Sequence, residues 1–253
     1  MPPVTICVLV YGPYAELARR TIDSIRTYCA RDQYHLVVGA NAVGAETRNY
    51  LDQLEAEGAT DRLIVSESNL NKCPMMVRMF EHIETEFIWW FDDDSYVTDP
   101  IALSERLRVA RCSPPRHVMW GHVFFFGNET DFSYGTDVVG YVKRAPWFRG
   151  KEPPSWAPGG KGEFGFDGGS TGDGRWFFPT GGCWFIRTQA IRALGWPDPG
   201  LVKRNDDVFL AEAIRQQGWE FHDIGPCGVA INMEPRRGEG EDKATMERQM
   251  STR

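Results

Sequence analysis

With 253 residues, 42% hydrophobic and 25% charged, the chain has the composition of an ordinary globular protein and enough length to bury a substantial core. A formal charge of −7 argues against a general nucleic-acid binder. No apolar run approaches the roughly 20 residues of a membrane span. The opening MPPVTICVLVYG lacks the charged region and cleavage site of a signal peptide, so it reads as a first strand.

In chain order, VTICVLV (4–10) is a short β-branched strand, and Leu17, Ile22, Ile25 and Tyr28 then recur at helical spacing. YHLVVGA is a second strand, followed by a charged helix over about 46–57 and the strand RLIVS at 62–66. CPMMVRMFEHI reads as a helix with Pro74 in its first turn, and EFIWWF as a buried strand. This βαβαβαβ alternation predicts an α/β protein with a mostly parallel central sheet and helices on both faces.

After HVMWGHVFFF (117–126) the regularity stops. A long Gly-, Pro- and aromatic-rich stretch covers 127–180; its aromatic content favours an ordered or ligand-ordered loop over a disordered linker. GCWFIRTQAIRAL resumes strand then helix. NDDVFLAEAIRQQG is a helix with acids at its start, which suits the helix dipole, and Gly218 just past its end. WEFHDIG and CGVAIN read as closing strands, and 236–253 as a charged tail that frays. With no repeat and no linker, 1–253 reads as a single domain. The six cysteines are scattered without CxxC spacing, which predicts reduced, mostly buried thiols in a cytoplasmic protein and no zinc site.

The chemistry concentrates in WFDDDSYV. Asp92, Asp93 and Asp94 follow a buried strand, at the end where open α/β sheets bind ligands. Adjacent carboxylates repel, and a hard divalent cation such as Mg²⁺ or Mn²⁺ offsets that cost. Residues i and i+2 leaving a strand can face one side, so Asp92 and Asp94 can share a site. An acidic turn, or an N-cap cluster before the helix near Asp99 and Pro100, is the plain alternative.

Here the chain resembles GT-A fold glycosyltransferases of the family-2 type. The DDD segment looks like their DxD signature, VTICVLVYGPYAELARRTIDSI like their first strand and helix, FPTGGCWFIRTQAI like the acceptor-side segment, and NDDVFLAEAIRQQG like the helix whose first turn carries the catalytic acid. The DDDSYV, PTGG and NDDV set is also similar to the Fringe and β-1,3-galactosyltransferase group. The resemblance implies a single GT-A domain, with a nucleotide-sugar half over about 1–100 and an acceptor half over about 101–235. It implies a metal-dependent, inverting transferase of the hexosyltransferase kind, moving a sugar from a nucleotide-sugar, by the commonest pattern a UDP-sugar, to an acceptor hydroxyl on a glycan, small molecule or peptide.

By resemblance, Asp94 is the main metal ligand with Asp92 beside it, Asp93 supports ribose or sugar, and Asp207 is the base, with Asp206 the weaker candidate. Tyr11, Asn41, Lys72, Arg236 and Arg237 fall where the family meets the nucleotide and diphosphate; Asn41 departs from the usual Asp, although its amide can still pair with uracil. Many members carry a His near the last strand as third metal ligand. The equivalent place here is Ile231–Asn232, so His222, Asn232 or water would have to serve. Trp147, Trp156 and Trp176 offer faces for an acceptor sugar, and Thr180, Gly181 and Gly182 allow its close approach. Two other readings stay open: a sugar-nucleotide nucleotidyltransferase, although VYGPYAEL is not the usual Gly-rich basic loop, and a non-catalytic carbohydrate- or nucleotide-sugar-binding protein.

Overall fold

The computed structural model describes residues 2–126, 143–151, 176–198 and 206–231. Strands β1 (Val4–Tyr11), β2 (Tyr34–Asn41), β3 (Arg62–Ser66) and β4 (Phe87–Asp92) alternate with helices α1 (Ala15–Tyr28), α2 (Ala45–Ala56) and α3 (Lys72–Phe80). The short strand β5 (Tyr96–Val97), helix α4 (Ala102–Cys112) and strand β6 (His117–Phe126) follow. Then come β7 (Trp176–Arg187), α5 (Thr188–Leu194), α6 (Asp206–Gln216), β8 (Glu220–Asp223) and β9 (Val229–Ala230).

The main sheet has seven strands in the order β3-β2-β1-β4-β7-β6-β8. β1 pairs in parallel with β2 and β4, and β2 with β3. β7 is antiparallel to both neighbours, and β8 runs parallel to β6. The expected βα alternation therefore holds through β4, and β7 interrupts it. The second closing strand, β9, lies outside the main sheet and pairs with β5. Helix α3 ends at Phe80, short of the expected apolar run.

Both faces of the sheet are covered. Val4, Ile6, Val8 and Val10 of β1 pack with Ile22 and Ile25 of α1, Leu51 and Leu54 of α2, and Leu103 and Leu107 of α4. Cys7 and Leu9 point the other way, toward Met75 and Met79 of α3, Ile191 of α5 and Leu210 and Ile214 of α6. Period-two alternation in β1 thus feeds two cores. Tyr28, counted with the apolar stripe of α1, instead ends that helix with 38% of its surface exposed. All six cysteines are free thiols, and Cys7, Cys29, Cys73 and Cys183 are buried. Among the described residues no helix is long and apolar enough to cross a membrane.

The β2–β3 edge is pinned by Asp61. Its carboxylate accepts the Leu36 N–H at 2.7 Å and Arg31 Nη2 at 2.7 Å, and lies 3.1 Å from His35 Nδ1. Burial pushes this carboxyl up, but the Leu36 N–H, His35 and Arg31 together hold it below the ordinary value of 3.8. A depressed carboxylate stabilises the fold above its unfolded value and loses that contribution as pH falls through the folded one. Asp61→Asn is expected to cost on the order of 1 kcal/mol at pH 7. In urea titrations at a series of pH values, the gap to wild type should close below the ordinary aspartate value.

Candidate active site at the carboxyl end of the sheet

The three acids divide their work by the alternation of the chain. Asp92 and Asp94 are partly exposed while Asp93 between them is fully buried. Asp93 Oδ2 accepts the Tyr11 N–H at 3.0 Å, so it ties the end of β1 to the DDD loop. The Thr21 hydroxyl on α1 lies 2.9 Å from the Asp93 carbonyl and 2.8 Å from that of Ser95. The Ser24 hydroxyl accepts the Val97 N–H at 2.9 Å and donates to the Thr21 carbonyl at 2.7 Å. Two hydroxyls in the middle of a helix thus splint the loop. Sequence reasoning missed both; the available signal was a Thr on the apolar face of α1, where a hydroxyl needs a partner. Asp93 was expected at ribose or sugar, but its carboxylate faces inward to a backbone N–H.

On the solvent side, Lys72 at the start of α3 gathers groups from three distant segments. Its Nζ lies 2.9 Å from Asp92 Oδ2, 2.8 Å from the Gly181 carbonyl of β7 and 3.2 Å from Asp206 Oδ2 in the first turn of α6. Asp92 Oδ1 accepts the Trp90 indole N–H at 3.0 Å. Burial alone would push the Lys72 ammonium down; the carboxylates of Asp206 and Asp92 outweigh it and hold the ammonium above its ordinary range.

Asp207 stands beside the same cluster. A side-chain carbon placed on Gly181 would lie 3.2 Å from Asp207 Oδ2 and 3.3 Å from Lys72 Nζ. Glycine at 181 is thus what allows β7 to approach the lysine and the aspartate so closely. Thr180 and Gly182 are buried on the same strand, the Thr180 hydroxyl accepting the Gly182 N–H at 3.2 Å.

The remaining expected residues fall elsewhere. Asn41 is 2% exposed, and both ends of its amide are engaged: Nδ2 donates to Asn69 Oδ1 at 3.1 Å, and Oδ1 accepts the Leu70 N–H at 2.9 Å. It ties the loop before α3 to β2. Trp147 is 1% exposed and packs in the core beside α6, so its ring offers no face to an acceptor. Its aromatic bulk is structural, and the expected platform role does not fit its position. His222 sits on β8, three strands from Asp92 in the sheet order, or roughly 14 Å at about 4.8 Å per strand. It is exposed and its ring stacks on His117 at 5.4 Å, so it does not reach the aspartates as a third ligand. Trp156, Arg236, Arg237 and Asn232 lie outside the described residues, as does the side chain of Trp176.

Among the described residues no three His, Cys, Asp or Glu side chains converge to hold an ion by themselves. The donor set still fits a hard cation of the kind that takes one or two carboxylates and completes its shell with substrate phosphate oxygens. Asp94 and Asp92 would hold it; each Asp92 oxygen has one partner and keeps a second lone pair. A carboxylate at a helix start across from these aspartates could accept a proton from a nucleophile held between them.

A mostly parallel sheet with helices on both faces, acids after its fourth strand and a second acidic pair on a late helix defines a GT-A fold. Residues 2–224 match the model of the family described as glycosyltransferase like family 2, and the chain belongs to that family. No curated protein sequence is significantly similar to it. Among solved structures it is similar to the mannosyltransferase PcManGT from Pyrobaculum calidifontis in complex with GDP-Man and Mn²⁺, with TM-score 0.62 and 16% identity over 94% of this chain and 58% of that one. It is also similar to S. aureus TarS 1-349, with TM-score 0.52 and 12% identity over 85% and 55% of the two chains. The complex of TarS 1-349 with UDP gives TM-score 0.51 and 11% identity over 89% and 61%. This chain therefore spans less than two thirds of each of these proteins.

Gly181→Ala is expected to leave the fold intact, since the φ of Gly181 is outside the left-handed region and the clash falls on side-chain atoms. It should displace Asp207 or Lys72 by a few tenths of an ångström and lower turnover at the site roughly tenfold to a hundredfold. Steady-state kinetics beside a melting curve would show it; full turnover would mean that Gly181 packing does not set the site.

Proposed function

We propose that this chain is a metal-dependent, inverting glycosyltransferase, hexosyltransferase in type. It transfers a sugar from a nucleoside-diphosphate donor, with UDP the first candidate, to a hydroxyl of a glycan, small molecule or peptide. The observation that supports it most is the meeting of Asp92 with the acidic pair Asp206 and Asp207 around Lys72 and Gly181 at one end of the sheet. The family assignment supports sugar transfer in general. The named complexes of similar folds contain GDP-Man with Mn²⁺ in one case and UDP in another, so both nucleotides belong in the test.

In this reading 1–253 is one domain working as a cytoplasmic enzyme, and its DDD, TGG and DDV motifs ally it with the Fringe-like group. Asp94, with Asp92 beside it, would hold a divalent cation, which when bound would stabilise the charge of the departing diphosphate as a Lewis acid. Asp207 takes the proton from the acceptor hydroxyl as that oxygen attacks the anomeric carbon opposite the leaving group, and a single displacement inverts the configuration there. Asp206 holds Asp207 in place through the start of α6. Tyr11 and Asn41 shape the nucleotide side through the loops they tie. Arg236 and Arg237 meet the diphosphate, since adjacent guanidiniums suit phosphate oxygens. Thr180, Gly181 and Gly182 flank the sugar, and Trp156 and Trp176 contact the acceptor.

The test is calorimetric titration of UDP, GDP and dTDP, each with Mn²⁺ and with EDTA, on wild type and Asp94→Ala. One nucleotide is expected to bind with Mn²⁺ and to lose at least tenfold in affinity with EDTA or in Asp94→Ala. Asp207→Asn should keep donor binding and lose at least a hundredfold in turnover, as removal of a general base does. Absence of binding by all three diphosphates would remove the proposal, and unimpaired turnover in Asp207→Asn would remove the base.

A further inference from the structure

We infer that Lys72 is a positioning residue whose ammonium clamps the start of α6 onto the end of β4, and that it does not bind the donor's phosphates. The inference rests on the glycosyltransferase reading above and concerns how its two acidic pairs are held. An ammonium has three N–H donors and no acceptor. Three oxygens already meet Lys72 Nζ: Asp92 Oδ2 at 2.9 Å, the Gly181 carbonyl at 2.8 Å and Asp206 Oδ2 at 3.2 Å. A phosphate could be bound only by giving up one of them.

The three partners come from β4, β7 and α6, elements more than a hundred residues apart along the chain at the extremes. Behind them, the Trp90 indole lies beneath the ammonium at 5.7 Å and donates to the second oxygen of Asp92, which fixes the carboxylate in the orientation that Lys72 meets. Asp206 is the immediate neighbour of Asp207, and Gly181 sits against Asp207 Oδ2. Lys72 therefore sets the spacing between the donor-side aspartates and Asp207 without touching either substrate. A compact ammonium suits three convergent oxygens; the planar guanidinium fork of arginine does not, although that fork binds phosphate well. This difference separates a clamp from a phosphate ligand.

The experiment compares Lys72→Met, Lys72→Arg, Asp206→Asn and the double variant Lys72→Met/Asp206→Asn with wild type. It reads the Kd for UDP and for GDP in the presence of Mn²⁺, the kcat and KM for the matching nucleotide-sugar, and Tm. A clamp predicts that Lys72→Met keeps the nucleotide Kd within about threefold and loses about a hundredfold in kcat. It predicts that Lys72→Arg fails to rescue kcat. It also predicts that the double variant melts no lower than Lys72→Met, because Asp206 is no longer left as an unpaired charge.

A tenfold weaker Kd in Lys72→Met that Lys72→Arg restores would make Lys72 a phosphate ligand and overturn the inference. Unchanged kcat in Lys72→Met, or additive Tm losses in the double variant, would overturn it as well. If Lys72→Met does not fold, Lys72→Gln and the double variant carry the same readouts. A wild type that binds none of UDP, GDP and dTDP sinks the glycosyltransferase reading itself, and the melting comparison still decides whether Lys72 and Asp206 are coupled.

Discussion

Burial of β4 on both faces is the constraint from which the site follows. Phe87, Trp89 and Phe91 enter one core, Ile88 and Trp90 the other, and all five are fully buried. Each such side chain contributes on the order of 1.5–3 kcal/mol through removal from water. Trp90 stacks on Trp184 of β7 at 5.7 Å, with Phe80 edge-on to both rings. A strand gripped from both sides has one place to turn polar, its end, and there the aspartates emerge. The rigidity of the apolar approach is what lets a short acidic loop have a defined geometry.

Polar groups carry that definition outward. Asp93 and Thr21 are buried, Asp93 holding the Tyr11 N–H of β1 and Thr21 the loop's carbonyls, while Asp92 and Asp94 stay partly exposed. Behind the loop, β5 pairs with β9, and the Thr98 N–H reaches the Gly228 carbonyl at 2.8 Å. Arg106 of α4 secures that same turn. Its guanidinium donates to the Cys227 and Pro226 carbonyls at 2.6 Å and 3.0 Å and lies 4.6 Å over the Trp89 ring. A buried cation held by carbonyl dipoles and an aromatic face needs no carboxylate partner. The late chain is thereby fastened to the early chain at the site's edge.

Helix α6 shows the same economy of means. Gln216 accepts the Arg149 and Lys151 N–H groups and donates to the Lys151 carbonyl, while Glu212 inside the fold is met by Arg215 and Gln216 at 2.7 Å. The 143–151 segment is docked on α6 through these contacts, and Trp147 enters the core with it. Elements that look like decoration in the chain are thus the supports that hold Asp206 and Asp207 against β7.

Features that depend on short-range periodicity are legible along the chain. Alternating apolar residues in VTICVLV and IWWF imply buried strands, the helical spacing of Leu17, Ile22 and Ile25 implies α1, and the i, i+2 rule puts Asp92 and Asp94 on one side of the loop. The roles of groups whose partners are remote emerge with the folded arrangement. Lys72 reads as a diphosphate contact until Gly181 and Asp206 are placed beside it. Asn41 reads as a base-reading amide until Asn69 and Leu70 occupy it. Trp147 could have been platform or core, because an aromatic ring has the same appetite for a sugar face as for a hydrophobic neighbour. The antiparallel entry of β7 and the exit of β9 from the main sheet were equally illegible. Strand pairing is settled by contacts across the whole chain, and local composition carries no record of them.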